Sequence, residues 1–360
     1  MNTEKKNQHY IPKFYLRNFS FNNNQNQIGI FNLKNDFFYS TSKLKTQGSK
    51  NFFYGYDGLI EDTLSKMEGD ISSTIKNILD NKTLPKKNSK EHVDLLVFVA
   101  LTDLRNPMKI GNMKDMLSGM KEKLLEVEPN AEIENLIPTF SHEEFIEMSI
   151  SSIPEMTFNI MDLEYKLLIN ETEYPFISSD NPVVRYNQYL EKKRWPHGKC
   201  GYGVIGLQIF MPLNPNISIH FYDSAIYKVG NKKQKALIIK NNKDIDSINY
   251  LQFVNCIETI YFNEKGSETY IRKLRTSSMK YQKANKSRAE LSYIVDKDNE
   301  KEIMNSGKKN LIITGTSDCE TNLNIEGIKI HSKGKSHKLT TKVTQLRKHP
   351  NTYMDIVRNR

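Results

Sequence analysis

The chain has 360 residues, 38% of them hydrophobic, enough for a real core in two domains or in one large domain with an extension. The net charge of +10 is uneven: residues 271–360 carry 20 Lys/Arg against 9 Asp/Glu, a net of +11, and the first 270 residues sum to −1. Three widely spaced cysteines, Cys200, Cys256 and Cys319, argue against a cysteine zinc site or a disulfide framework. No run reads as a secretory or membrane-spanning segment, so a cytoplasmic protein without membrane contact is expected.

In chain order, the first informative stretch is "NQHYIPKFYLRNFS", residues 7–20. Pro12 suits a first helical turn, and Tyr15 and Phe19, four apart, fit a short helix over about 12–19. "IGIFNLKNDFFYST" reads as a hairpin with "KND" as its turn. Residues 58–80 form the clearest amphipathic helix, with Ile60, Leu64, Met67, Ile71, Ile75 and Ile78 on one face and Asp57 as its N-cap. Ser89 is expected to cap a second, nearly all-apolar helix that runs to Arg105, where Asn106-Pro107 stops or kinks it. Residues 108–160 read as further helix, with a capping box at Ser141 and Glu144.

The pattern changes near 163, where short strand-like runs alternate with turn signals such as "DNP" and "NPN". "DIDSINYLQFVNCIETIYF" (244–262) returns to helix, with Asp244 as its cap, and beyond about 290 a linker-like stretch leads into a small β unit or a loose tail. The expected architecture is α+β: a helical half over 1–160, an antiparallel sheet plus helix over 161–289, and a basic C-terminal extension over 290–360.

Several polar residues stand where a core-facing pattern does not explain them. Glu61 and Glu68 lie at the edge of the apolar seam of the 58–80 helix. There they need either water or a partner. Arg105 ends the most apolar helix and calls for an anion, either one of those glutamates or a phosphate. Asp180 sits in the turn "SSDNP", where it serves as a metal ligand, as an orienter of an imidazole, or simply in an Asx turn. Asn249 and Gln252 place amides among apolar neighbours, for a ligand or for backbone. His9 precedes the helix at Pro12, whose N-terminus favours a neutral ring.

The segments "QHYIPKFYLRNF", "GLIEDTLSKMEGDIS", "FVALTDLRNP", "FISSDNPVV", "FMPLNPNISI" and "INYLQFVNC" occur in the order found in a bacterial family and span roughly residues 7–265. The chain resembles domain of unknown function family 4238. The resemblance implies no activity, but it implies that Gln8, His9, Glu61, Glu68, Arg105 and Asp180 recur together as one constellation.

Taken so, the residues suggest a phosphodiesterase or nuclease, in the role of a toxin or anti-phage effector. His9 is its general acid or base, Glu61, Glu68 and Asp180 hold Mg²⁺ or Mn²⁺, and Arg105 contacts the phosphate. Gln8, Arg17, Asn249 and Gln252 bind substrate, and the basic C-terminal segment recruits nucleic acid. The alternative is a non-catalytic sensor that grips a nucleotide or peptide in the same pocket. A third reading makes the polar set a purely structural network.

Overall fold

A computed structural model describes residues 6–56, 58–196, 198–284, 287–297, 300–304, 311–337, 339 and 345–347. The chain opens with strand β1 (Asn7–His9), helix α1 (Lys13–Arg17) and the expected hairpin of β2 (Gln27–Asn32) and β3 (Phe37–Lys43). It returns in β4 (Ser49–Asn51) to pair antiparallel with β1, His9 opposite Ser49. Gly48 makes that return possible. At φ +60° its carbonyl accepts the N–H groups of Tyr10 (2.9 Å) and Ile11 (3.1 Å), and a Cβ there would stand 2.8 Å from the Cβ of Ile11.

A helical layer follows: α2 (Leu59–Asn81), α3 (Lys90–Leu104), α4 (Pro107–Val127), α5 (Ile133–Leu136), α6 (His142–Ser151) and α7 (Ile153–Ile160). Ser89 caps α3 by accepting the His92 N–H, and Ser141 with Glu144 forms the expected capping box. Asn106-Pro107 does more than end α3: Asn106 caps α4 and Pro107 occupies its first turn. On α2 the apolar face holds at Leu64, Ile71, Ile75 and Ile78, but Met67 is exposed. Its expected cap, Asp57, lies outside the described residues.

The second half supplies β5 (Glu164–Asn170), β6 (Ser178–Ser179), β7 (Val184–Tyr186), α8 (Gln188–Lys192), β8 (Gln208–Asn214), β9 (Ile217–Tyr222), β10 (Tyr227–Val229) and β11 (Ala236–Ile239). After these come α9 (Asn242–Asn255), β12 (Thr259–Phe262), α10 (Glu268–Ser278), β13 (Ser287–Lys297), β14 (Glu300–Met304), β15 (Leu311–Thr316), β16 (Ile328–Ile330) and α11 (Ser332–Ser336). The main sheet has the order β11-β5-β9-β8-β7 and is antiparallel except for the β11–β5 pair. A second sheet, β3-β2-β12-β6, is antiparallel throughout. The α+β expectation holds.

The helix expected over 244–262 is corrected. It ends at Asn255, its N-cap is Asn241 rather than Asp244, and Thr259–Phe262 is an interior strand of the second sheet. The aromatic and β-branched run "TIYF" favours strand. The backbone N–H groups that would continue the helix are instead taken by the carboxylate of Asp180.

The main sheet is buried on both faces. Along β8 and β9, Ile209, Met211, Leu213, Ile217, Ile219 and Phe221 point into the core shared with α2, α3 and α7. Leu168, Phe210 and Tyr222 point the other way, into a core shared with α9 and with Cys319, Leu323, Ile325 and Ile328. Strand β16 pairs with β10, and Gly119 of α4 admits Ala289 of β13 to 2.8 Å from where a Cβ would stand. Arg347 adds a staple: it grips both carboxylate oxygens of Asp162 (2.8 and 3.0 Å) and donates to the carbonyls of Tyr202 and Val204. Residues 319–328 therefore lie as an outer layer on the main sheet, whereas β14, β13 and β15 form a small sheet of their own that packs against α4.

Ile325, 2% exposed, tests this arrangement. Ile325→Ala is expected to lower the stability of the whole chain by about 2–4 kcal/mol, read as one cooperative shift in urea unfolding. An unchanged midpoint would mean that the segment is not part of the core.

Candidate functional site

A cleft of about 300 Å³ runs between the β1–α1 segment and one face of α2. His9, Lys13, Phe14 and Arg17 form one wall; Glu61, Leu64, Ser65, Glu68, Gly69 and Ser72 form the other. The second wall follows from helix geometry, since those α2 positions recur at intervals of three and four. The first wall follows from β1, which fixes His9 in the strand, and from α1, which aligns Lys13 and Arg17 four apart. Of the residues expected from sequence, His9, Glu61, Glu68 and Arg17 thus come together. Lys13, Ser65 and Gly69 were missed, although they lie four residues from His9, Glu61 and Ser65 in turn.

His9 is neutral, as expected, for a stronger reason than the helix end. Burial, then the positive charge of Lys13, lowers its pKa from the ordinary 6.5 to about 4, and Arg105 adds to the effect. Its Nε2 lies 3.2 Å from the Lys45 carbonyl, which can only accept, so Nε2 carries the proton and Nδ1 keeps the lone pair. A ring held in this state can accept a proton at Nδ1 but carries no extra proton to give at neutral pH.

The carboxylates are arranged unequally. Glu68 accepts a 2.8 Å hydrogen bond from Nη1 of Arg105, a guanidinium only 1% exposed. Nε and Nη2 of Arg105 make no hydrogen bond among the described residues. Glu61 is held above the usual carboxylate range by burial, with Arg105 and the His9 backbone N–H opposing that rise. One cleft therefore holds an imidazole pushed toward its unprotonated form and a carboxyl pushed toward its protonated form.

The remaining expected residues belong elsewhere. Both oxygens of Asp180 are occupied: Oδ1 accepts the Ile257 N–H (2.8 Å), and Oδ2 accepts those of Glu258 (2.8 Å) and Thr259 (2.9 Å). Asn249 accepts the Ile177 N–H and donates to the Pro175 carbonyl and the Tyr270 hydroxyl. Gln252 accepts from Ser179 and donates to the Pro182 carbonyl. Gln8, 1% exposed, accepts the Tyr54 N–H and donates to the Gly55 carbonyl, pinning the loop before α2. Gln8, Asp180, Asn249 and Gln252, expected in the site, are thus bonded within the protein and are not among the residues that line the cleft. Without Asp180 the three-carboxylate metal set does not assemble. Among the described residues no group of three or more His, Cys, Asp or Glu side chains is placed to hold a metal ion.

Sequence reading also passed over a second buried network. Asp103 meets Lys109 (3.3 Å) and Arg185 (3.2 Å) and accepts from the Tyr202 hydroxyl (2.5 Å). Those positive charges hold its carboxyl below the usual range against burial, and the set is paired within itself.

Asp180→Ala strands three backbone N–H groups and is expected to destabilise the fold by about 3 kcal/mol in chemical denaturation, with Asp180→Asn milder. Stability is also expected to fall with pH. His9 and His92 are held at about 4, and His220 at about 3, chiefly by burial, so the unfolded chain takes up protons below 6.5 that the folded chain refuses. The contribution of these histidines to the unfolding free energy should stay level above pH 6.5 and decline between 6.5 and 4, read as the difference in urea midpoints between the wild type and His220→Gln across that range.

Among the described residues no helix is long and apolar enough to cross a membrane. No curated protein and no solved structure matches the chain. The family described as protein of unknown function (DUF4238) matches residues 7–266, which include both the cleft and the Asp180 junction, and the chain belongs to that family.

Proposed function

We propose that the β1–α1–α2 cleft is the active site of a phosphodiesterase that acts on nucleic acid. The observation that supports it is the pairing, in one cleft, of an unprotonated histidine with a carboxyl of raised pKa beneath two cations. Nδ1 of His9 takes the proton of the attacking hydroxyl or water, and Glu61 delivers a proton to the leaving oxygen. Lys13 and Arg17 hold the phosphate, and Arg105 fixes Glu68 from behind. No step is assigned to a metal ion. A toxin or anti-phage role belongs to the same proposal and would show as growth arrest on expression.

A second reading, a nucleotide-binding sensor without turnover, is favoured by Nε and Nη2 of the buried Arg105, whose N–H groups have no hydrogen-bond partner among the described residues and attract an anion whether or not chemistry follows.

The cleft offers a clean test at Gly69. A Cβ there meets nothing within 4 Å, so Gly69→Leu fills the cleft without disturbing the core and removes a helix-interior glycine worth up to about 1 kcal/mol. Purified protein is incubated with RNA, single-stranded DNA and double-stranded DNA, with Mg²⁺, Mn²⁺ or EDTA. Cleavage by the wild type is expected. It should drop about 100-fold or more in His9→Ala and be lost in Gly69→Leu, whose thermal stability is retained. Cleavage that persists unchanged in both variants would overturn the assignment, and saturable nucleotide binding without cleavage would favour the sensor. The pH profile should fall below about 4 as His9 gains a proton, and should fall again on the alkaline side as Glu61 loses one.

A further inference from the structure

A second concavity, of about 410 Å³, lies between α8 and the β16–α11 segment. Lys192, Lys193, Lys329 and Lys335 line it, and among the described residues no acidic side chain does. None of the four makes an ion pair among the described residues, and all four are exposed. Like charges gathered at one mouth repel one another and are relieved by a multivalent anion.

A second, independent observation comes from the lining residue Gln188. It is 4% exposed, and its Nε2 donates to the Leu323 carbonyl. Its Oε1, by contrast, has no hydrogen-bond donor among the described residues. A buried acceptor left unpaired is costly, and a ligand that brings an N–H or O–H to it relieves that cost. The lysines ask for phosphates and Gln188 asks for a donor. One small molecule that carries both is a nucleotide, whose ribose hydroxyls and base N–H groups are donors.

We propose that this pocket is a nucleotide site separate from the His9 cleft, taking a nucleoside triphosphate with the lysines on the phosphates and Gln188 on the nucleoside. The volume lies within the range of small-molecule sites. Two of the lysines, Lys329 and Lys335, come from the basic C-terminal quarter and the other two from α8 and its C-cap, so the site exists only because that quarter folds onto the body. The proposal does not rest on the phosphodiesterase reading: it survives if the cleft proves inert.

The experiment is calorimetric titration of the full chain with ATP, GTP and inorganic tripolyphosphate at low and moderate salt. Saturable binding of all three is expected, weakening as salt rises. Both nucleotides should bind more tightly than tripolyphosphate at equal ionic strength, reflecting the contact at Gln188. Lys192→Ala/Lys335→Ala, at exposed positions that leave the core intact, should weaken every probe tenfold or more. Binding unchanged in that double variant, or no saturable binding at millimolar probe, would overturn the site. Tripolyphosphate binding as tightly as the nucleotides would overturn the nucleoside contact. The same titrations on Gly69→Leu, unaffected if this site is independent, separate failure here from failure of the cleft.

Discussion

A single buried carboxylate organises the middle of this protein. Asp180 is 2% exposed and has no cation at hydrogen-bonding distance among the described residues; its charge is met by three consecutive backbone N–H groups, those of Ile257, Glu258 and Thr259. That contact halts α9 and starts β12, the strand that joins the hairpin to β6. The same turn is gripped on its other side. Asn106 donates to the Asp180 carbonyl, Asn181 to the Asn255 carbonyl, and Asn255 to the carbonyls of Asn181 and Val183. The α3–α4 junction, the second sheet and α9 therefore share one network, in which each bond counts for more because the site is buried.

The network also positions the cleft at a distance. Tyr15 of α1 donates to the Pro212 carbonyl (2.7 Å) and lies 2.8 Å from the Ser178 hydroxyl, two residues before Asp180. Arg105 precedes Asn106 and reaches back to Glu68. The wall that carries Lys13 and Arg17 and the charge that orients Glu68 are thus anchored to the junction, although the junction contributes no side chain to the cleft. The motif residues fall into two sets. One binds backbone inside the protein, and the other lines an opening at its surface.

Much of the architecture was legible in the sequence. The apolar spacing of α2, the Ser89 cap, the Ser141–Glu144 box and the hairpin are local devices, settled within one or two turns of chain. Met67 fits the apolar period yet is exposed and lies outside the cleft lining, so the period alone did not fix which α2 positions are covered. The run 244–262 misled because the signal that ends α9 is not in the run; it arrives from Asp180, 77 residues away. The basic charge of the C-terminal quarter is visible in composition, whereas the sparse Cys319, Leu323, Ile325 and Ile328 that seat residues 319–328 against the sheet are not periodic and were not legible.

The amino-acid sequence by itself determined most of the helices, the hairpin and the seam-edge position of Glu61 and Glu68, since each depends on neighbours within a few residues; the neutrality of His9 comes chiefly from its burial in the folded chain. Only the tertiary structure decided that His9, Arg17 and the two glutamates share a cleft, while Gln8, Asp180, Asn249 and Gln252 bind backbone. A polar side chain in an apolar setting needs a partner, and sequence shows that need. Whether the partner is a main-chain N–H or an open cavity depends on which segments pack beside it, and that is fixed only when distant parts of the chain meet.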